Sequence, residues 1–191
     1  MRIDLGTGDG RAVLAAAASD PGRLVIGIDA SAAGMIDASR RSLRPRDGLA
    51  NTLFVVAAAE RLPSELDGVA DEVTINFPWG SLLRGLLTAE DTVLSGLVRI
   101  MKPGAALSIL LSVTDQDHSA ELPPVTDAGA LEALVAPYAA WGLIVTGIRP
   151  LSRAEVVAAG SSWGKRLGAG ERRPAWSIQA RRGREVAERT A

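Results

Sequence analysis

The chain has no cysteine and a single histidine, His118. Without cysteine it can form no disulfide and no thiolate metal site. His118 lies in a polar Asp-Gln-Asp-His-Ser stretch, where a lone histidine is more often solvated than catalytic, so we assign it no role. The residue types therefore predict no metal site.

Long apolar runs are absent as well. No stretch approaches the ~18 residues that a membrane-spanning helix needs, and no signal-peptide pattern precedes the first predicted strand. Of the 191 residues, 47% are hydrophobic and 23% charged, which is typical of a soluble globular protein. We expect a single domain over residues 1–184, a frayed tail over 185–191, a cytoplasmic location and a monomer.

The net charge is only −1, but the charges are unevenly placed. Between residues 161 and 184 a single acid, Glu171, is outnumbered by seven basic residues: Lys165, Arg166, Arg172, Arg173, Arg181, Arg182 and Arg184. A second basic group comprises Arg40, Arg41, Arg44 and Arg46. This asymmetry favours phosphate-facing surfaces, with two solvated basic faces as the alternative.

A glycine-rich run, Asp4-Leu-Gly-Thr-Gly-Asp-Gly10, connects a first short strand to an alanine-rich helix. Glycine tolerates positive φ and lets a ligand lie against bare backbone. The third glycine comes one residue earlier than in the G-x-G-x-x-G motif of nicotinamide-binding folds. Asp4 and Asp9 would repel a diphosphate, but they suit the ammonium and sulfonium charges of S-adenosylmethionine (SAM).

A second strand ends at Asp29, where a carboxylate can bind both ribose hydroxyls of a nucleotide-like ligand, as it does in NAD folds. A purely structural glycine turn is the alternative. The predicted SAM-binding residues are Asp4, Gly6, Thr7, Gly8, Asp9, Asp29, Ala59, Glu60 and Asn76.

Strand and helix patterns alternate along the chain. Strands are expected at 1–3, 24–29, 52–56, 72–76, 105–113, 143–148 and 174–180, and helices at 11–18, 31–43, 91–101, 127–140 and 152–157. Residues 160–170 read as a mobile loop with a helical turn. Such alternation predicts an α/β, Rossmann-like fold with a mainly parallel sheet. Together with the SAM-type glycine turn, it leads us to expect the class I SAM-dependent methyltransferase arrangement, with seven strands and the last one antiparallel.

Two of the four tryptophans, Trp79 and Trp163, fit no core pattern, whereas Trp141 and Trp176 do. An exposed indole can stack on a nucleobase, worth ~1–3 kcal/mol per base. The two indoles could clamp a base flipped out of its stack, and backbone carbonyls near Phe77 and Pro78 could accept its exocyclic N–H. The alternative is that Trp79 closes the floor of the domain.

Several of these motifs resemble one family. They are Asp4-Leu-Gly-Thr-Gly-Asp-Gly10, Ile26-Gly-Ile-Asp29, Ala57-Ala-Ala-Glu-Arg-Leu-Pro63, Phe77-Pro-Trp-Gly-Ser-Leu-Leu83 and Ser162-Trp-Gly-Lys-Arg-Leu167. Together they are similar to motifs of the aminoglycoside-resistance 16S rRNA methyltransferases, which methylate N1 of adenine 1408 in the decoding site of the 30S subunit.

The resemblance implies roles for individual residues. It implies that Asp4, Asp29 and Glu60 contact SAM, and that Trp79 and Trp163 sandwich the adenine. It also implies that Ser161, Lys165, Arg166 and Arg173 hold the later loop or the RNA. To these we add Arg40, Arg41 and Arg44, on charge alone, as RNA contacts.

The sequence departs from the family pattern at two points. Family members have further residues before the glycine turn, so we expect that this chain lacks their N-terminal extension. Glu171 stands where an RNA-binding arginine is expected. The alternatives are a tRNA guanine-N7 methyltransferase, which also has a Phe-Pro segment after strand four, a small-molecule methyltransferase, and a SAM-binding protein with weak or lost rRNA methylation.

Overall fold

The computed structural model describes residues 1–114 and 125–184. Within them, seven strands form one sheet: β1 (Arg2–Leu5), β2 (Val25–Asp29), β3 (Thr52–Val56), β4 (Ala70–Asn76), β5 (Met101–Leu111), β6 (Leu143–Pro150) and β7 (Trp176–Arg182). Their spatial order is β3-β2-β1-β4-β5-β7-β6. The first five strands pair in parallel and β7 is antiparallel to both neighbours, which confirms the predicted sheet.

Eight α-helices are described: α1 (Arg11–Ser19), α2 (Ala32–Ser42), α3 (Gly80–Leu87), α4 (Asp91–Ile100), α5 (Ala128–Glu132), α6 (Val135–Ala140), α7 (Arg153–Ala158) and α8 (Ser162–Leu167). No helix in the described ranges is both long and apolar enough to cross a membrane. Residues 115–124, which include His118, lie outside the described residues.

The direction of chain progression across the sheet reverses between β1 and β4. Strands β1, β2 and β3 succeed one another toward one edge, whereas β4 and β5 lie on the other side of β1. In open α/β sheets, ligands bind in the crevice outside the carboxyl ends of the strands at such a reversal. The topology therefore places a binding crevice above the ends of β1 and β4.

The apolar stripe of α4 shows how the core is built. Val93, Leu94, Leu97 and Ile100 recur at helical spacing, and all four are fully buried, as their periodicity predicts. On α2, the sequence predicts Met35 and Ile36 on the inner face. Met35 is buried, but Ile36 is 44% exposed, so that prediction is wrong for Ile36.

The predicted helix 127–140 is two helices. Pro137 has no N–H to donate to the carbonyl of Ala133, so the helical hydrogen-bond pattern breaks between α5 and α6. One continuous helix is predicted to place Leu131, Leu134 and Val135 inward. Leu131 and Leu134 are buried, but Val135 is 39% exposed because the helix is broken before it.

One further helix and two strands differ most from the prediction. Helix α3 was not predicted. Strand β5 begins at Met101, four residues before the predicted start. Residues 102–105, which include Pro103 and Gly104, lie opposite Asp71 in an irregularity of the β4–β5 pairing, so the strand continues past them. Strand β7 continues through Arg181 and Arg182, two residues beyond the predicted end of the strand.

Candidate active site

A cavity of about 500 Å³ opens at the carboxyl edge of the sheet, above β1 and β4. This volume lies within the usual range of small-molecule sites. Fifteen of the sequence-predicted site residues line it: Asp4, Gly6, Thr7, Gly8, Asp9, Asp29, Ala59, Glu60, Asn76, Phe77, Pro78, Trp79, Ser161, Trp163 and Arg166. The ends of four strands and one late helix therefore converge on one space.

The glycine turn is held by the carboxylate that ends β2. Asp29 accepts the backbone N–H of Gly8 on Oδ2 and that of Ser31 on Oδ1, each at 2.8 Å. Gly8 has φ 59°, and a Cβ built there would meet open space rather than protein atoms. The turn thus presents bare backbone beside a carboxylate of fixed orientation, which suits a ribose.

Asp4 is buried beneath this turn, at the end of β1. Its Oδ1 accepts hydrogen bonds from Thr74 Oγ1 and Asn76 Nδ2, both at 2.8 Å, and both donors belong to β4. Burial raises the pKa of Asp4, while the hydrogen bonds act in the opposite direction. Nearby positive charge would favour its ionised form, so the carboxyl is suited to a cationic ligand.

The loop after β3 forms another wall. Ala59 and Glu60 lie in a single turn of 3₁₀-helix, and Ala59 is buried. Helix α4 packs so closely here that a Cβ at Gly96 would lie 2.7 Å from the Ala59 carbonyl oxygen. Arg99 donates to the carbonyl of Leu62 at 2.6 Å, so α4 holds the loop against the cavity.

Phe77 turns the chain sharply at the end of β4. It has φ 54°, a left-handed conformation that costs a non-glycine residue ~1–3 kcal/mol. The strain is offset by a 2.7 Å hydrogen bond from its N–H to the Leu110 carbonyl and by burial of its ring. The turn directs Pro78 and Trp79 toward the cavity; the side chain of Phe77 itself packs inside the protein, against Gly164 of α8.

The indoles of Trp79 and Trp163 meet at the cavity. Their ring centroids are 6.0 Å apart and their planes are inclined by 71°, an edge-to-face contact. Both are exposed, at 51% and 39%. A base between two parallel rings needs ~6.8 Å, twice the ~3.4 Å stacking distance of bases. The pair therefore has to open by about 1 Å and one ring has to turn before it can hold a base.

The other two tryptophans pack against the core as predicted. Trp176 is buried and donates to the Val125 carbonyl at 3.1 Å, and Trp141 is partly buried and donates to Asp91 at 3.1 Å.

Residues 160–170, predicted as a loop with a helical turn, contain the helix α8. Ser161 caps it by accepting the N–H of Gly164 at 3.2 Å, and Gly168, at φ 66°, ends it. Lys165 and Arg166 are exposed in its last turn, and Arg166 lines the cavity. Arg173 is half-buried in the turn that follows.

The predicted basic segment 161–184 is divided by the fold. Strand β7 starts beside the carboxyl end of β5, where Trp176 pairs with Leu111, and runs away from the cavity to the pairing of Arg181 with Ala106. Arg181, Arg182 and Arg184 therefore lie toward the opposite edge of the sheet. Glu171 is neutralised by Arg153, whose Nη1 is 2.7 Å from its carboxylate.

The first basic group also lies away from the cavity. Helix α2 starts beside the end of β2 and runs back along the sheet for 11 residues, or ~16 Å. Arg40 and Arg41 lie in its last turn, and Arg44 follows, 3.6 Å from the carboxylate of Asp47. The structure therefore places Arg40, Arg41 and Arg44 on a separate surface.

Several cavity residues were not singled out by the sequence. Leu82 lies so close to the glycine turn that a Cβ at Gly6 would be 2.7 Å from its side chain. Ser162, whose hydroxyl reaches Asp9, is the most informative of them. Its position next to Trp163 was the one available signal. Among the described residues, no group of three or more His, Cys, Asp or Glu side chains could hold a metal ion.

Known proteins are similar to this chain in sequence and in fold. Residues 1–182 match the family model described as NpmA: 16S rRNA (adenine(1408)-N(1))-methyltransferase. The enzyme of that name from Escherichia coli is 34% identical over 181 residues, covering 91% of this chain and 83% of its own. The one from Streptoalloteichus tenebrarius is 37% identical over 171 residues, covering 86% and 79%.

Solved structures agree with the sequence matches. A crystal structure of the 16S rRNA (adenine(1408)-N(1))-methyltransferase from Catenulisporales acidiphilia, a mutant with cosubstrate SAM, superposes with a TM-score of 0.85 at 33% identity, covering 100% of this chain and 87% of that one. The 16S rRNA methyltransferase KamB gives a TM-score of 0.84 at 31% identity, covering 95% and 87%. This chain belongs to the 16S rRNA (adenine(1408)-N(1))-methyltransferase family.

Proposed function

We propose that this protein transfers a methyl group from SAM to N1 of adenine 1408 of 16S rRNA within the 30S subunit, and so confers resistance to aminoglycosides. The observation that carries the proposal is the contact between two exposed indoles, Trp79 and Trp163, at the mouth of an acid-lined cavity. We further propose that it acts as a monomer in the cytoplasm.

The cavity residues fit SAM. Bound SAM would supply an electrophilic methyl group on its sulfonium. Asp29, fixed by the amides of Gly8 and Ser31, would bind the ribose hydroxyls, and Glu60 would lie beside the adenosine. Asp4 and Asp9 would place negative charge near the cationic methionine portion.

The two indoles would hold the target base after it leaves its stack. Their present edge-to-face contact is worth ~0.5–1.5 kcal/mol, whereas stacking of a base on aromatic faces gives ~1–3 kcal/mol. Opening the pair around an adenine is therefore favourable. The backbone carbonyls of Phe77 and Pro78 would accept the exocyclic N–H and distinguish adenine from bases that lack it.

The proposed chemistry needs no general base from the protein. N1 of adenine carries a lone pair and no proton, which agrees with a cavity whose lining, among the described residues, includes no histidine, cysteine or lysine. Methylation leaves positive charge on the base, and indole faces stabilise such a cation. The contribution of the protein is then mainly the orientation of two reactants.

Basic side chains on two surfaces would hold the RNA. Lys165, Arg166 and Arg173 would contact phosphates near the target base, and the buried cap residue Ser161 would hold α8 in place. Arg40, Arg41 and Arg44 would contact a more distant part of the same large substrate. Contacts to phosphate position a protein on RNA and make its affinity dependent on salt.

Nucleoside analysis of methylated RNA tests the proposal. Incubation of 30S subunits with protein and SAM should yield 1-methyladenosine, and tRNA should yield no 7-methylguanosine. Trp79→Ala and Trp163→Ala should abolish methylation while calorimetry still detects SAM binding. Trp141→Phe, which alters an indole outside the cavity, is the control. Retained methylation in either alanine variant would overturn the clamp, and 7-methylguanosine in tRNA would overturn the substrate.

A further inference from the structure

A single side-chain hydrogen bond joins the helix that carries Trp163 to the glycine turn. The hydroxyl of Ser162 donates to Oδ2 of Asp9 over 2.6 Å, between residues 153 positions apart. The acceptor is a carboxylate, and charge-assisted O–H···O bonds of this length are among the stronger hydrogen bonds in proteins. Ser162, the neighbour of Trp163, is therefore held by Asp9, which lies between Gly8 and Gly10 of the turn.

The other side of α8 rests on Phe77. Gly164 is buried, and a Cβ there would lie 2.5 Å from the Phe77 ring. Successive residues of an α-helix are about 100° apart around its axis, so Ser162 and Gly164 face directions about 200° apart and Trp163 projects between them. Two anchors on opposite sides restrict the rotation of α8 about its own axis.

The acceptor of this hydrogen bond, Asp9, belongs to the part of the cavity that is proposed to bind SAM. The amide of Gly8, next to Asp9, donates to Asp29 at 2.8 Å. Oδ1 of Asp9 accepts the backbone N–H of Arg11 at 3.2 Å, and the Arg11 guanidinium lies 3.5 Å from the oxygen that Ser162 contacts. The Asp9 carboxylate therefore links the first turn of α1 to the first turn of α8.

We propose that Ser162 is a positioning residue. Through Asp9 it sets the angle at which the indole of Trp163 faces Trp79, and thereby the orientation of the clamped base relative to the acid-lined cavity. Its catalytic consequence rests on the proposed function, but its geometric consequence does not. The expected effect of losing the hydroxyl is a slower methyl transfer at unchanged SAM affinity.

The test compares Ser162→Ala, Ser162→Thr and Ser42→Ala. Ser42 is a matched control, because its hydroxyl also makes one short hydrogen bond, 2.8 Å to the Ser39 carbonyl, at the far end of α2. The readouts are kcat on 30S subunits, SAM affinity by calorimetry, and the near-ultraviolet circular dichroism of the indole pair in the RNA-free protein. Trp79→Phe identifies the part of the dichroism that the pair contributes.

Ser162→Ala should lower kcat by at least about tenfold, leave SAM affinity within about twofold, and remove most of the indole-pair dichroism. Ser162→Thr, which keeps the hydroxyl, should restore kcat and dichroism, and Ser42→Ala should change neither. Should Ser162→Ala not fold, Asp9→Asn carries the same test on dichroism, since it keeps the shape and removes the charge.

Wild-type kcat and wild-type dichroism in Ser162→Ala would overturn the proposal, as would a loss of SAM affinity that accounts for the whole loss of rate. A wild-type protein that methylates no 30S subunits would refute the proposed function instead. The dichroism comparison would still decide the positioning role in that case.

Discussion

Gly164→Ala tests most sharply whether the packing of α8 against Phe77 fixes the position of Trp163, the indole proposed to bind the base. A Cβ at Gly164 would lie 2.5 Å from the Phe77 ring, whereas carbon atoms in contact are ~3.5–4.0 Å apart. Phe77 is buried and its backbone is held by Leu110, so α8 has to move. The required displacement is about 1 Å, and Trp163 moves with the helix.

The expected loss of activity exceeds the loss of stability. Overpacking costs ~1–3 kcal/mol, and alanine returns ~1 kcal/mol of helix propensity over glycine. The net destabilisation is therefore about 0–2 kcal/mol. A misplacement of ~1 Å at a reacting centre can cost ~100-fold in rate. We expect the initial rate of methyl transfer to 30S subunits, at saturating SAM, to fall by about that factor.

Gly85→Ala is the matched control. Gly85 lies within α3, and a Cβ there would lie 2.5 Å from Val93, in the core and outside the cavity lining. Calorimetry should show a similar loss of stability, while the rate stays within about threefold of wild type, less than 1 kcal/mol in activation free energy. A wild-type rate in Gly164→Ala, or an equal loss of rate in both variants, would refute the reasoning.

Three further predictions concern the charged side chains. Asp29→Ala should weaken SAM binding more than about tenfold by calorimetry, because charge-assisted hydrogen bonds are worth ~1.5–3 kcal/mol; unchanged affinity would place the ribose elsewhere. Burial raises the pKa of Asp4, so the folded state keeps its proton to higher pH than the unfolded chain, and stability falls as pH rises through that interval. Asp4→Asn should flatten this fall in thermal melts across pH and also weaken SAM binding; an unaltered pH profile would contradict it. Removing both Lys165 and Arg166 should weaken 30S binding and reduce the slope of log affinity against log salt by about 2, whereas Arg181→Ala should leave the slope nearly unchanged; equal effects would contradict the division of the basic segment.

Local patterns account for what the sequence predicted well. The glycine turn and the acids at strand ends are short motifs, and parallel strands bring their carboxyl ends to one edge whatever lies between them. The stripe Val93, Leu94, Leu97 and Ile100 is equally local, because its helical period is written in ten consecutive residues. The cavity was predictable for the same reason.

The errors arose where distant residues or backbone detail decide the structure. Helix α3 begins with Gly80 and also contains Gly85, both weak helix formers, so tertiary contacts rather than propensity stabilise it. Pro137 broke a helix that the apolar spacing alone made continuous. The Ser162–Asp9 hydrogen bond joins residues that are 153 positions apart in the chain, and no local sequence pattern predicts it.

The charge analysis shows a different limit. Counting basic residues from 161 to 184 gave one cluster, but the antiparallel direction of β7 carries Arg181 away from the cavity that Arg166 lines. A count along the chain does not record the direction in which a strand runs. Helix α2 separates Arg40 from the cavity in the same way.

The central claim is that the paired indoles present an adenine of the decoding site to a SAM-loaded cavity, and reverse transcription across that site tests it most directly. A methyl group on N1 blocks Watson–Crick pairing, so 30S subunits incubated with this protein and SAM should give a strong stop at adenine 1408. The stop should vanish without SAM and with Trp163→Ala. Full-length transcription past that adenine after incubation with wild-type protein and SAM would contradict the claim.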